Sequence, residues 1–137
     1  MPDSESKPAV IQRLEGTAWQ NSRSFCPAVI TEGGRIAWLA GQTTLTDLEG
    51  RDITGQFEPQ ARTIFALIDK TLARAGGSLQ NVVTMTVFIN DPRNGDRFVQ
   101  VRNEFFRNGQ YPGSALVTVS NFARPGSVIE IQCVAVI

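Results

Sequence analysis

Apolar positions change their period several times along the chain, and each change marks an element. From Gln56 to Ala75, residues Ala61, Ile64, Phe65, Ile68, Leu72 and Ala75 recur at three- and four-residue spacing, which draws one apolar stripe down an α-helix. Thr54 or Gly55 starts this helix, Pro59 falls in its first turn, and Gly76-Gly77 stops it. Val82–Ile89 reads VVTMTVFI, almost wholly apolar or β-branched, and predicts a central strand covered on both faces. Asp91-Pro92 and Asn94-Gly95 then break the chain. A second helix is predicted from about Arg97 to Arg107, with Phe98, Val101, Phe105 and Phe106 as its apolar side and Gly109 and Pro112 ending it.

Shorter runs predict strands at Val10–Glu15, Ala28–Thr31 and Arg35–Ala40. Glu32-Gly33-Gly34 separates the last two and signals a β-hairpin. Ala115–Val119 and Val128–Ile137 flank a turn-rich segment with Asn121, Arg124, Pro125 and Gly126, which predicts two more strands in a hairpin-like connection. Gly16–Pro27, GTAWQNSRSFCP, reads as an ordered loop with Trp19 and Phe25 embedded in it. Residues 1–9 are polar and read as a flexible N-terminal segment, which leaves 10–137 as a single domain. The order is β-β-β-α-β-α-β-β, an α+β pattern. Its crossovers require parallel pairs and its hairpins antiparallel ones, so the sheet is predicted to be mixed. With two helices and six strands, the expected architecture is a six-stranded mixed sheet with both helices on one face. The other face then needs a partner, which points to self-association.

Composition narrows the classes of function. The 137 residues suffice for one core, and 42% apolar with 19% charged residues is an ordinary globular balance. Thirteen basic and thirteen acidic side chains cancel, which argues against a nucleic-acid or anionic-membrane surface. No stretch approaches the run of about 20 apolar residues that spans a bilayer. MPDSESKPAV has no apolar core and does not read as an export signal, so a cytoplasmic location is expected. The chain contains no histidine and only two cysteines, Cys26 and Cys133. That removes Ser-His-Asp and Cys-His nucleophile systems and any histidine zinc site, and no metal is expected.

Several residues stand out against this background. Glu130 lies between Ile129 and Ile131 in an apolar strand. It faces solvent, is paired, or lines a cleft where it can handle a proton. Gly41 ends an apolar strand, where a glycine signals close backbone approach, a bulge or a positive φ. Trp19, Gln20, Asn21 and Arg23 have the composition of a ligand lip, or equally of an ordered surface loop. Cys26 has only Arg23 near it in sequence to activate a thiol. Cys133 reads as a small core residue. No motif activates Ser114 or Ser120.

Taken together, SFCPAV (24–29), IAWLAGQT (36–43), the helix 56–77, VVTMTVFIND (82–91), NEFF (103–106), YPGSALVTV (111–119) and ARPGSVIEIQCVA (123–135) resemble the Rid family of YjgF-type reactive-intermediate deaminases, earlier labelled L-PSP endoribonucleases. The resemblance implies a chorismate-mutase-like α+β domain of the bacillary type. It implies a homotrimer with a small-molecule ligand in clefts between subunits, and hydrolysis of enamines and imines without cofactor or metal. In that family an arginine in the YP-x-R pattern binds the substrate carboxylate, a glutamate in the last strand holds the attacking water, and an aromatic from the early loop closes the cleft. Here the matching positions are Ser114 for the arginine, Glu130 for the glutamate, Gly41 for a strand-end glycine and Phe25 where tyrosine is common. Val99 stands where imine deaminases carry asparagine.

The expectation is therefore a cofactor-independent enamine or imine hydrolase acting on a substrate other than 2-aminoacrylate. Glu130 would be catalytic, and Phe25, Gly41, Ser114, Arg23 and Trp19 would contact substrate. Arg23 and Arg124 are the alternatives for the missing anion contact. A non-catalytic homotrimer binding a metabolite or a protein stays open, as does an endoribonuclease, which the absence of histidine and of net charge disfavours.

Overall fold

The computed structural model describes residues 7–107 and 109–137. In chain order the elements are β1 (Val10–Arg13), α1 (Ala18–Ser22), β2 (Val29–Glu32), β3 (Ile36–Trp38), α2 (Phe57–Ala73), β4 (Val82–Ile89), α3 (Gly95–Phe105), β5 (Gly113–Thr118) and β6 (Ile129–Val136). The fold is α+β. The expected six-stranded sheet is divided: four strands form a mixed sheet in the order β3-β6-β4-β5, while β1 and β2 pair only with each other, as a two-stranded ribbon. A bridge from Cys26 to Gly113 ties that ribbon to the free edge of β5. Of the predicted N-terminal segment, residues 1–6 lie outside the described residues, while the Lys7 carbonyl accepts a hydrogen bond from Gly34 N at 2.7 Å.

The core forms where α2 and α3 lie on one face of the four-stranded sheet. Ile64, Phe65, Ile68 and Leu72 of α2 meet Met85, Val87 and Ile89 of β4 and Ile129, Ile131 and Cys133 of β6, all buried. Phe65 stacks on Phe105 of α3 with ring centroids 4.9 Å apart. Each such large apolar side chain contributes about 1.5–3 kcal/mol on burial. The stripe predicted for α2 is the one buried. Gly76, at φ +85°, supplies the left-handed residue that ends the helix, and Gly77 N donates to Leu72 O. Two polar residues of α2, Gln60 and Thr63, are buried with the stripe, Gln60 completely. The Gln60 amide donates to Ile53 O and Gly126 O and accepts from Val128 N, so it staples two loops to the helix with no polar atom left over.

Strand pairing departs from the predicted hairpins in both places. β2 pairs with β1, Arg13 opposite Val29, while β3 pairs with β6, Trp38 opposite Val134. Gly33 and Gly34 do turn the chain, at φ +65° and +73°, but they hand it from one sheet to the other. Arg35 exchanges both backbone hydrogen bonds with Ile137, which leaves the end of the turn nothing with which to pair β2. In the C-terminal half, β4 lies between β5 and β6, parallel to the first and antiparallel to the second. The helical crossover through α3 makes β5 a parallel neighbour of β4, and β6 takes the other edge.

β4 is central, as predicted, but only one of its faces is covered within the chain. Thr84, Thr86 and Phe88 point away from the helices. They share an open face with Ala115 and Val117 of β5, with Glu130, Gln132 and Val134 of β6, and with Trp38, which is 76% exposed. The predicted loop at Gly16–Pro27 holds the short helix α1, capped by Thr17, whose hydroxyl accepts from Gln20 N while Gln20 Oε1 accepts from Thr17 N. No helix among the described residues is long and apolar enough to cross a membrane.

Candidate functional site

A cleft of about 280 Å³ opens between α1, α3 and β5, lined by Trp19, Arg23, Phe25, Val99, Arg102, Ser114 and Leu116. Its upper wall follows from how α1 ends. Arg23 caps the helix, and Ser24 then takes φ +61°, the one positive φ outside glycine among the described residues. This left-handed step costs on the order of 1 kcal/mol and reverses the chain, so that Phe25 N reaches back to Gln20 O. Cys26 N donates to Pro112 O, which pins the reversed segment beside the start of β5. Phe25 lies edge-on to Trp19 with centroids 5.7 Å apart. Arg23 reaches along the rim to an ion pair with the exposed Asp96 at the start of α3.

The floor of the cleft is an arginine that the periodicity did not single out. Arg102 sits four residues beyond Phe98 on the buried side of α3 and is only 2% exposed. Its Nη1 donates to Ser114 Oγ at 2.6 Å and its Nη2 to Arg23 O at 2.8 Å. The guanidinium carbon stands 4.9 Å from the Phe98 ring centre and 6.0 Å from that of Phe25, in cation–π range. Its Nε is buried with no partner. Among the described residues no carboxylate pairs with it; the charge beside it is that of Arg23, which is also positive. Burial first, and Arg23 second, lower its pKa to about 10, with Tyr111 pulling the other way. It is still a cation at neutral pH.

Glu130 is on the other side of the sheet. Ile129 and Ile131 point into the core, so the residue between them points to the open face, in one row with Phe88 and Val117. Ser114, opposite the buried Met85, points to the helix side. Gly41 is close to Glu130. After β3 the chain pairs Gln42 with Ile131, which carries the Gly41 backbone over the carboxylate. A Cβ on Gly41 would stand 3.0 Å from Glu130 Cδ and 3.1 Å from Oε2. Of the three roles open to this glycine, the structure selects close approach. Glu130 is half-buried, and none of the ion pairs among the described residues involves it.

The six residues expected in a site thus fall into two groups. Phe25, Ser114, Arg23 and Trp19 share the cleft with Val99; Glu130 and Gly41 meet on the opposite face. Arg124 is exposed on the loop before β6 and is not part of the cleft lining. The apolar period of α3 passes over Arg102, because it registers only Phe98, Val101, Phe105 and Phe106. The available signal was a charge at the i+4 position of an apolar stripe, where a surface helix has no reason to put one. The thiols do not form a site: burial raises the pKa of Cys26 and pushes that of Cys133 up to about 11. No cluster of metal-ligating side chains occurs among the described residues.

Comparison with known proteins bears on the family and the fold. The family model described as Endoribonuclease L-PSP matches residues 16–137. A RutC family protein of Pyrococcus horikoshii is 28% identical over 104 residues, 76% of this chain and 81% of the relative. Among solved structures, the Rid-family protein YyfB of Yersinia pestis superposes with a TM-score of 0.80 at 20% identity, covering 94% of this chain and 98% of its own. A member of the YjgF family from Mycobacterium tuberculosis superposes with a TM-score of 0.65 at 22% identity, covering 93% and 100%. These two likenesses carry the fold, and the family model carries the kinship. With matching segments along nearly the whole chain and this fold, the chain belongs to the Rid, or YjgF, family, whose family model bears the L-PSP endoribonuclease description.

Proposed function

We propose that the protein is a cofactor-independent hydrolase of enamines or imines other than 2-aminoacrylate, working as a homotrimer whose site is completed between subunits. The observation that carries this reading is the separation of the two residue groups. Glu130 and Gly41 lie on an open, partly apolar sheet face, and the aromatic and arginine cleft lies on the other side. One chain cannot bring them together, whereas a second copy docked on the open face can offer its cleft to Glu130. Exposed Trp38 and Val117 on that face are the kind of surface that a partner covers.

In this reading the imine nitrogen is protonated, and Glu130 takes a proton from water as the water oxygen bonds to the carbon of that iminium and the C=N π pair moves to nitrogen, giving a neutral carbinolamine. The protonated carboxyl returns that proton to nitrogen. The C–N bond then breaks with its electron pair leaving on nitrogen as ammonia, the hydroxyl proton passes back to the Glu130 carboxylate as the C=O bond forms, and its release to solvent restores the starting state, with a carbonyl compound as the other product. An enamine enters the same path after protonation on carbon. Glu130 makes no ion pair among the described residues, so no guanidinium or ammonium competes with water for its carboxylate oxygens.

A second reading, a trimer that binds a small metabolite without turning it over, is favoured by Val99 and Phe25, which put apolar surface where a hydrolytic cleft needs donors. RNA cleavage draws least support, with zero net charge and no histidine. The deciding measurement is ammonia release from a panel of freshly generated acidic, neutral and bulky imines, with wild type and Glu130→Gln side by side. Release that Glu130→Gln abolishes, with assembly intact, supports the hydrolase; no release from any imine leaves the binding protein.

A further inference from the structure

We infer that Arg102, carried by α3, is the anion anchor of the cleft, and that with Ser114 it selects small monocarboxylates bearing an apolar body. This names the substrate class of the proposed site, but it concerns binding and does not need turnover. Three observations carry it. Arg102 is a buried cation with no carboxylate partner among the described residues, and the charge beside it, on Arg23, repels it. A charge in that position is costly unless something of opposite sign completes it. Where a purely structural side chain was needed, a methionine or leucine would pack against Phe98 without that cost.

The donors are also poised. Nη1 and Nη2 each spend one N–H, on Ser114 Oγ and Arg23 O, while Nε has no partner at all. A buried donor of that kind calls for an explanation, and this one belongs to a residue lining an open cleft. Ser114 accepts from Arg102, which leaves its own hydroxyl proton to donate. The pair therefore presents a carboxylate with a hydroxyl donor backed by a guanidinium. Finally, the charge balance and the walls set the class. Asp96 offsets Arg23 on the rim, so the cleft carries one uncompensated positive charge. Phe25, Trp19, Val99 and Leu116 supply apolar surface for the rest of the ligand.

The test uses phenylacetate, its neutral isostere phenylacetamide, and acetate as stable probes. Binding is followed by titration calorimetry and by the Arg102 Nε–H resonance, assigned by its absence from Arg102→Lys. Phenylacetate should bind wild type at least about tenfold more tightly than phenylacetamide, as expected of hydrogen bonds to a charged group. It should bind more tightly than acetate, and it should shift the Nε–H resonance. Glu130→Gln should retain this binding, and Arg102→Gln should lose the preference for carboxylate over amide. Equal binding of acid and amide by wild type overturns the assignment, as does an unmoved Nε–H resonance at saturation, and neither depends on whether Arg102→Gln folds. The two proposals fail separately. Carboxylate binding without ammonia release defeats the hydrolase alone, and Glu130-dependent release with no preference for carboxylate defeats the anchor alone.

Discussion

Replacing Gly41 by alanine separates a positional role from a structural one. The new Cβ would stand 3.0 Å from Glu130 Cδ, and ordinary contact begins at 3.4 Å, so the carboxyl must retreat by about 0.4 Å. The backbone at Gly41 is not among the positive-φ glycines, so alanine fits its conformation, and the group that must yield is the end of a flexible side chain. Stability should therefore hold, or rise by up to roughly 0.4–1 kcal/mol as the unfolded chain loses freedom. Activity should not hold. A misplacement of about 1 Å can cost about 100-fold, so a few tenths of an ångström at the proton-handling group should cost on the order of tenfold in kcat. Gly41→Val, which sets two methyl groups against the carboxyl, should cost more. The assay is thermal melting beside steady-state ammonia release on whichever imine shows Glu130-dependent turnover. Unchanged kcat in Gly41→Ala would refute the reasoning, because the contact would then not be setting the carboxylate. A large loss of stability would refute it differently, by showing that Glu130 cannot move.

Other perturbations test other parts of the molecule. Gln60→Leu strands Val128 N, while Ile53 O and Gly126 O each lose one donor and keep another, from Gln56 N and Gly55 N, and it should cost about 1–3 kcal/mol; a urea midpoint within error of wild type would contradict the stapling role. Ser114→Arg brings a second guanidinium to the place where Arg102 Nη1 now bonds. It should destabilise by roughly 2 kcal/mol or more, and Arg102→Ser in the same chain should recover most of that loss, as read in a double-mutant cycle. Trp38→Glu puts a charge on the open sheet face and should shift the sedimenting species towards monomer, whereas unchanged assembly would show that the subunits meet elsewhere.

What could be read in the chain follows the range of the interactions involved. The α2 stripe from Ala61 to Leu72, the stop at Gly76-Gly77 and the apolar β4 were legible because period, caps and strand composition are local properties. The family resemblance was legible too, since its segments keep their order and spacing. The hairpins were not. Glu32-Gly33-Gly34 states that the chain bends, but β2 takes β1 and β3 takes β6, and that choice is a competition among distant edges. The burial of Arg102 is of the same kind. A lone arginine in a helix ordinarily faces water, and only the packing of α3 under Phe25 and against β5 turns this one inward onto Ser114.

By itself, then, the sequence determined the six strands, the two long helices, their order, the family and most of the polar residues able to do chemistry, including Glu130 and the absence of histidine, but not the short helix α1 or the role of Arg102. The tertiary structure decided how those residues divide. It placed Glu130 beneath Gly41 on one face of the sheet and gathered Trp19, Arg23, Phe25, Arg102 and Ser114 on the other. Strand alternation assigns a side chain to one of two faces, but which face meets the helices depends on pairing across the whole chain. A charge becomes an anchor only when the fold removes it from water and leaves it without a counter-ion.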